Sequence, residues 1–503
     1  MRALLSVYDK AGIVALATEF HELGIDLISS GGTAAAIAAK GIPVTDVAEW
    51  TGFPPMLGHR VVTLHPRIHG GIMADRRDPA HLRDLETHGI DLIDIVVGNL
   101  YPFGSDPSIN LIDIGGPTLL RAAAKNHEYV TVLVDPADYP SVLGELSETG
   151  GTSISLRRTL ARKAFAHTAA YDAQIVSWFD DELVATDEAL PPTIHVSLER
   201  AQGLRYGENP HQAGARYRVA GTPSWWDNVE QHAGVDLSYL NLFDADAAWR
   251  LAHDLGDKPT CAIIKHANPC GVAVADNLAD AYRRALACDE RSAFGGIIAL
   301  NRTVDADTAA AIEAGVQADV IIAPGYDDGV IERLEAKRKN TRVLTAPPPH
   351  GANLAVRQLS DGYLVQEPHQ FSSQPENWSV VTERKPTESE LADAELAWRV
   401  CSYVSSNSIV LARDGVAWGI GAGQQNRVES GQIATQKAAG RAAGGACASD
   451  AFYPFPDGVD AAAEAGVVVV IQPGGSVNDD AVIAAADGHG VAMVFTGERQ
   501  FRH

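Results

Sequence analysis

Two neighbouring residues, Lys265 and His266, are the pair in this chain best suited to moving a proton near neutral pH and steadying a developing negative charge. They end a short apolar run, residues 261–264, within CAIIKHANPCGVAVA (261–275). That run predicts a buried strand that delivers its last residues to a loop-lined cleft. The Asn268-Pro269 and Cys270-Gly271 pairs are expected to stop the strand. A solvated cap at 265 and a satisfied core histidine at 266 is the plainer alternative, because a two-residue signal is weak.

Other polar groups collect where strands are expected to end. Ser6, Asp9 and Lys10 follow one strand, and Ser30-Gly31-Gly32-Thr33 follows the next and opens an alanine-rich helix. Such a turn offers free backbone N–H groups and a positive dipole end to an anion such as a phosphate, and it would serve equally as a plain N-cap. Arg60 and Thr63, in GHRVVTLHPRIHGG, add a cation and a hydroxyl. Asp113 and Lys125 bracket a helix, as acid/base groups or as a cap and a surface charge. Arg205 beside Tyr206 suits a phosphate and a flat ring. His59, His65, His69 and His88 lack the spacing of a metal site.

Those residues need a frame. Strands are expected at residues 3–7, 27–29, 92–97 and 129–134, with helices between them, an alternation that predicts a parallel sheet with ligands at the carboxyl ends of its strands. Residues 150–180 read as helical, residues 182–192 as a polar linker, and the domain boundary is set near Thr193. Beyond it come a helix at 278–288, strands at 297–300 and 320–323, and a helix at 305–317. A second, similarly ordered set has a helix at 388–404, a hairpin around Asp414-Gly415, a glycine- and glutamine-rich loop at 421–427, a helix at 432–443 and a strand at 467–471. This half reads as two related α/β subdomains.

Composition narrows the class. A chain of 503 residues allows about three domains. A formal charge of −24 and a pI near 5.0 argue against general binding to nucleic acid or a membrane surface, while leaving room for a local pocket for a small anion. The five cysteines show no CxxC spacing, so neither a disulfide framework nor a zinc site is indicated. The start, RALLSVYD, reads as a strand rather than a signal peptide, and no apolar run reaches membrane-spanning length. The expectation is a soluble cytoplasmic protein.

Taken in order, SVYDK, SSGGT, TGFPPMLGHRV, TLHP, NLYPF, IDIGG, RAAAKNH, LRYGENPHQ, KHANPCG, SAFGG, IIAPGY, SNSIV, GIGAGQQNR and ASDAFYPF cover essentially the whole chain. The chain resembles the bifunctional AICAR transformylase/IMP cyclohydrolase enzymes of purine biosynthesis. That resemblance implies an α/β architecture: a methylglyoxal-synthase-like parallel-sheet domain over residues 1–192, then a transformylase domain of two cytidine-deaminase-like subdomains over 193–503. It implies formyl transfer from the cosubstrate 10-formyltetrahydrofolate to AICAR, ring closure of formyl-AICAR to IMP, and a homodimer with transformylase sites formed across its interface.

By the same resemblance, His266 is the base that takes the amine proton, Lys265 stabilises the oxyanion or protonates the leaving folate nitrogen, and Asn407 orients the carboxamide. Arg205, Tyr206, Gly295, Asp319, Arg427, Phe452 and Arg499 are expected to hold AICAR, and Val428, Asp457, Ser476 and Val477 to lie near the folate. The cyclohydrolase set is Ser6, Lys10, Ser30, Gly31, Gly32, Thr33, Arg60, Thr63, Asn99, Tyr101, Asp113, Ile114 and Lys125, with Tyr101, Asp113 and Lys125 taking part in the chemistry. No metal is called for; the zinc deaminase signature is missing, since Cys270 is followed by Gly-Val-Ala. One departure stands out. The family motif Arg-Val-Lys-Thr-Leu-His-Pro carries Val62 here in place of lysine. A weakened but working cyclohydrolase is expected. Two other readings are an N-terminal domain that only binds nucleotide and, from the fold alone, a zinc nucleoside deaminase.

Overall fold

Fully buried Ala3, Leu4 and Leu5 make the first apolar run the centre of a parallel sheet. In the computed structural model, which describes residues 1–58, 60–183, 190–351 and 354–503, the chain divides into two compact units. The first comprises Met1–Glu199 with Val219–Thr222, the second Arg200–Arg218 with Pro223–His503. Residues 184–189 of the expected linker, and His59, lie outside the described residues.

The first unit holds strands β1 (Arg2–Ser6), β2 (Asp26–Ser29), β3 (Thr45–Asp46), β4 (Ile95–Gly98) and β5 (Thr131–Leu133), all parallel, in the order β3-β2-β1-β4-β5. Its helices are α1 (Ile13–Glu22), α2 (Gly31–Ala38), α3 (Val47–Thr51), α4 (Pro66–Met73), α5 (Pro79–His88), α6 (Gly115–Lys125), α7 (Tyr139–Thr149) and α8 (Ile154–Trp178). Strand order reverses between β1 and β4, so the loops leaving their carboxyl ends diverge and open a crevice.

β6 (Leu198–Leu204) and β7 (Gly214–Val219), most of whose residues belong to the second unit, form a two-stranded sheet, as do β14 (Ala355–Gln358) and β15 (Tyr363–Gln366) of that unit. The remaining strands build one 12-stranded sheet from two copies of a single plan. The first copy runs β8 (Glu230–Ala233), α9 (Tyr239–Asp254), β9 (Thr260–Lys265), β10 (Asn268–Val274), α10 (Leu278–Cys288), α11 (Glu290–Ala293), β11 (Ile297–Leu300), α12 (Ala306–Ala314), β12 (Val320–Ala323), α13 (Val330–Lys337) and β13 (Arg342–Thr345). The second runs β16 (Ser379–Val380), α14 (Glu388–Cys401), β17 (Ile409–Arg413), β18 (Val416–Gly421), α15 (Arg427–Ala438), β19 (Ala446–Ser449), α16 (Asp457–Glu464), β20 (Val469–Gln472), α17 (Asp479–Gly488) and β21 (Ala492–Phe495). The copies join edge to edge where β10 pairs antiparallel with β18. Trp249 and Trp398 occupy matching places in α9 and α14, and both are fully buried in one shared core.

Two expectations need correction. Asn268-Pro269 and Cys270-Gly271 do not stop the Lys265 strand; they belong to β10, which pairs back on β9 with an irregularity between Pro269 and Gly271 that accommodates the proline. The tight turn is His266-Ala267 itself. The loop expected over 421–427 ends earlier, because the Asn426 side chain accepts from Glu429 N at 2.8 Å and starts α15 at Arg427.

Candidate functional sites

The crevice of the first unit gathers most of the residues singled out there. Asn99, just past β4, accepts from Tyr8 N at 2.6 Å and Asp9 N at 3.2 Å and donates to Asp9 O at 2.9 Å, tying the two diverging loops together. Lys10 Nζ donates to Tyr8 O at 3.0 Å and lies against Gly32, where an added Cβ would meet it at 3.6 Å. An ammonium therefore faces the first turn of α2. Ser30 precedes that helix without a side-chain capping bond, which leaves its hydroxyl available to a ligand. Thr33 is different: its buried hydroxyl donates to Val7 O at 2.9 Å, so that hydroxyl braces the loop after β1.

Asp113 stands before α6, where its carboxylate accepts from Gly116 N at 2.9 Å and its own N–H donates to Tyr171 Oη at 2.8 Å. A Cβ on Gly116 would lie 2.4 Å from Asp113 Oδ2, so glycine is required there. Burial raises the Asp113 carboxyl above its usual range, partly offset by N–H groups of Gly116, Gly115 and Tyr101. Burial, and then the neighbouring Asp113, raises the Tyr101 phenol. Thr63 lies against Gly115, Ile114 is 60% exposed, and Arg60 donates to Asn110 Oδ1 at 2.7 Å. Ser6 ends β1 in this same crevice. Lys125 is not brought here. It ends α6, and a helix of that length carries it about 15 Å along the axis, toward the opposite edge of the sheet. Val62 is half-buried and packs on the hydrophobic core.

In the second unit, strand direction decides the site. The end of β9, the start of β10, the starts of β11, β12, β13 and β17, and the ends of β18, β19, β20 and β21 all fall on one edge of the long sheet. That edge carries Lys265 and His266, Gly295, Asp319, Asn407, Arg427 with Val428, Phe452, Asp457 at the start of α16, and the loops holding Ser476, Val477 and Arg499. Lys265 Nζ donates to Phe294 O at 2.8 Å, and exposed His266 tops the turn. Asn268 Oδ1 accepts from Ser405 N at 2.8 Å, which brings the Asn407 segment up to the His266 turn. Asn407 Nδ2 donates to Gln424 O at 3.0 Å, and its Oδ1 accepts from Arg427 at 2.9 Å. Arg427 also pairs with fully buried Asp450 at 2.8 Å. Val477 is fully exposed and Phe452 is 40% exposed.

Several partners carried no sequence signal. Asp244 lies in an ordinary helical context, and Asp450, though within the ASDAFYPF motif, is not singled out there. Arg342, which is buried, is lowered first by that burial, while Asp319 raises it and Arg205 and its neighbours act on it, so these groups share one neighbourhood with Tyr206, over which Arg205 lies at 5.4 Å. A cavity of about 500 Å³ adjoins His266, lined by Lys265, Cys270, Ser292, Gln424 and Lys437 among others. Burial raises the Cys270 thiol to about 11, so it stays protonated at neutral pH.

A sheet edge with a Lys-His turn, fused to an anion-ready α/β crevice, defines a two-site enzyme. The family described as AICARFT/IMPCHase bienzyme matches residues 123–437, and the MGS-like domain matches residues 12–127. Two proteins called "Bifunctional purine biosynthesis protein PurH" are each 49% identical and cover 100% of this chain. One is from Dinoroseobacter shibae, over 98% of its own length, and the other from Parvibaculum lavamentivorans, over 97%. A solved structure titled "Crystal structure of ForH" is 38% identical, covers 36% of this chain and 98% of its own, and has a TM-score of 0.33. The chain belongs to the AICARFT/IMPCHase bienzyme family, as a purine-biosynthesis enzyme with AICAR transformylase and IMP cyclohydrolase activities.

Proposed function

We propose that the second unit formylates AICAR and the first closes the ring. The single observation that carries this is the shared edge of the 12-stranded sheet, which collects Lys265, His266, Asn407 and Arg427 from both halves of the repeat. His266 takes a proton from the AICAR amine as nitrogen bonds to the formyl carbon of 10-formyltetrahydrofolate. Lys265 steadies the oxygen that gains charge or returns a proton to the folate nitrogen as its bond to the formyl carbon breaks. Arg205, Tyr206, Gly295, Asp319, Phe452 and Arg499 bind AICAR, and Val428, Asp457, Ser476 and Val477 lie toward the folate.

The width of the site supports a homodimer. Asp319 and Phe452 belong to strands six spacings apart, roughly 29 Å, wider than one mononucleotide. A second copy laying its Phe452 end beside the first copy's Asp319 end completes each site. In the first unit, the α2 N-terminus, Lys10, Ser30 and Arg60 hold the phosphate of formyl-AICAR. Asp113 and Tyr101 pass a carboxamide proton as its nitrogen bonds to the formyl carbon, and the formyl oxygen leaves as water with that proton and the one from the formamide nitrogen. We read the protein as a cytoplasmic enzyme without nucleic-acid or membrane partners, a reading that the formal charge of −24 supports because such partners need basic patches.

A nucleotide-binding first unit without turnover is the reading Val62 invites; full-length relatives called bifunctional weigh against it. A time course with AICAR and 10-formyltetrahydrofolate, separating formyl-AICAR from IMP, decides. Appearance of both in sequence supports two working sites, and formyl-AICAR as the sole product overturns the cyclohydrolase assignment.

A further inference from the structure

The internal repeat supplies two hairpin turns of one design, at opposite edges of the long sheet. In one, Lys265 and Asn268 close a two-residue turn whose central residues, His266 and Ala267, both have φ 55°. In the other, Arg413 and Val416 close Asp414-Gly415, with φ 51° and 75°. Positive φ at both centres is the primed hairpin geometry that favours Asp-Gly. The second turn has those residues. The first instead carries two residues with side chains that the left-handed region disfavours.

A matched carboxylate serves each turn. Asp244, sixth in α9, accepts from His266 N at 2.9 Å and Ala267 N at 2.8 Å. Asp393, sixth in α14, accepts from Asp414 N and Gly415 N, each at 3.0 Å. Asp244 is 7% exposed and Asp393 8%. Burial and bonding are alike, but only one clamp holds a turn bearing Lys265 and His266.

We propose that Asp244 is a positioning residue for formyl transfer: its carboxylate holds the His266-Ala267 turn in the left-handed conformation that presents His266 at the sheet edge. This rests on the role given above to His266. Asp393 is its internal control, a clamp of equal build on a turn without the catalytic pair.

The test compares full-length Asp244→Asn, Asp393→Asn, His266→Ala and the double variant Asp244→Asn/Ala267→Gly. Each is read for kcat and KM in formyl transfer, for cyclisation of supplied formyl-AICAR, and for thermal midpoint. Asp244→Asn is expected to lower formyl-transfer kcat by about 10²-fold, the cost of a small misplacement, with KM for AICAR and cyclisation unchanged. Asp393→Asn is expected to lower the midpoint comparably and leave kcat alone. Adding Ala267→Gly, which frees the turn from its side-chain penalty, is expected to restore part of the lost kcat. Wild-type kcat in Asp244→Asn, or an equal loss in Asp393→Asn, overturns the proposal while His266→Ala is inactive. Full formyl transfer by His266→Ala instead removes the role of His266. Should Asp244→Asn fail to fold, Asp244→Glu decides, since an added methylene shifts both acceptors; unchanged kcat there overturns the proposal too.

Discussion

Arg427 donates from its guanidinium to the side-chain carbonyl of Asn407 at 2.9 Å, fixing which way that amide faces. With Nδ2 held by Gln424 O, both ends of Asn407 are spoken for. Asn407→Leu removes them together. Formyl-transfer kcat is expected to fall about 10²–10³-fold, the usual cost of losing one well-placed polar group, with cyclisation of formyl-AICAR intact. Parallel steady-state assays of the two half-reactions check this.

The same guanidinium makes Asp450 structural. Asp450 is fully buried, and it also accepts from Ser408 N at 2.9 Å. Asp450→Ala leaves a largely buried charge without its partner and an orphaned N–H. A loss of about 3–5 kcal/mol is expected, measured by denaturant unfolding, with a first unit that still cyclises formyl-AICAR if that unit stays folded.

His266→Ala should abolish most formyl transfer, by about 10²–10⁴-fold, because the base is gone. Cyclisation, belonging to other residues, should continue at the wild-type rate. Unchanged formyl transfer in this variant would mean another group takes the amine proton.

Val62 packs on the core of the first unit, so Val62→Lys brings an ammonium to a half-buried apolar spot. Its stem can stay packed while its head reaches solvent. The expected result is a shorter lag before IMP appears, with a lower thermal midpoint. A lag of unchanged length would show that Lys10 and Arg60 already supply the charge the reaction needs.

Asp113 links chemistry to pH. Burial raises its carboxyl above 3.8, so the stability it contributes is full below 3.8 and is lost as pH rises through its raised folded value. Asp113→Asn, which cannot ionise, should therefore gain stability relative to wild type across that rise while losing cyclisation. Thermal midpoints of both proteins, followed upward from about pH 4, test the direction; a constant difference would remove Asp113 as the titrating group.

Much was legible in the chain because it depended on local order. Alternating apolar runs and helical spacings marked β1, β2, β5 and α8, the Asp414-Gly415 pair marked its own hairpin, and the ordered motifs from SVYDK to ASDAFYPF marked the family. What the tertiary structure decided depended on pairing between distant segments. The His266-Ala267 turn was hidden because it lacks the Asp-Gly residues its geometry favours and takes its hold from Asp244, 22 positions earlier. Lys125 looked like a neighbour of Asp113 in sequence, yet the rise of α6 carries it away. Asn407 and His266 share an edge only because β10 pairs antiparallel with β18, which turns the second copy over and brings the start of β17 to the same edge as the end of β9. Residue types chose the chemistry; strand direction and register chose which of those residues share a site.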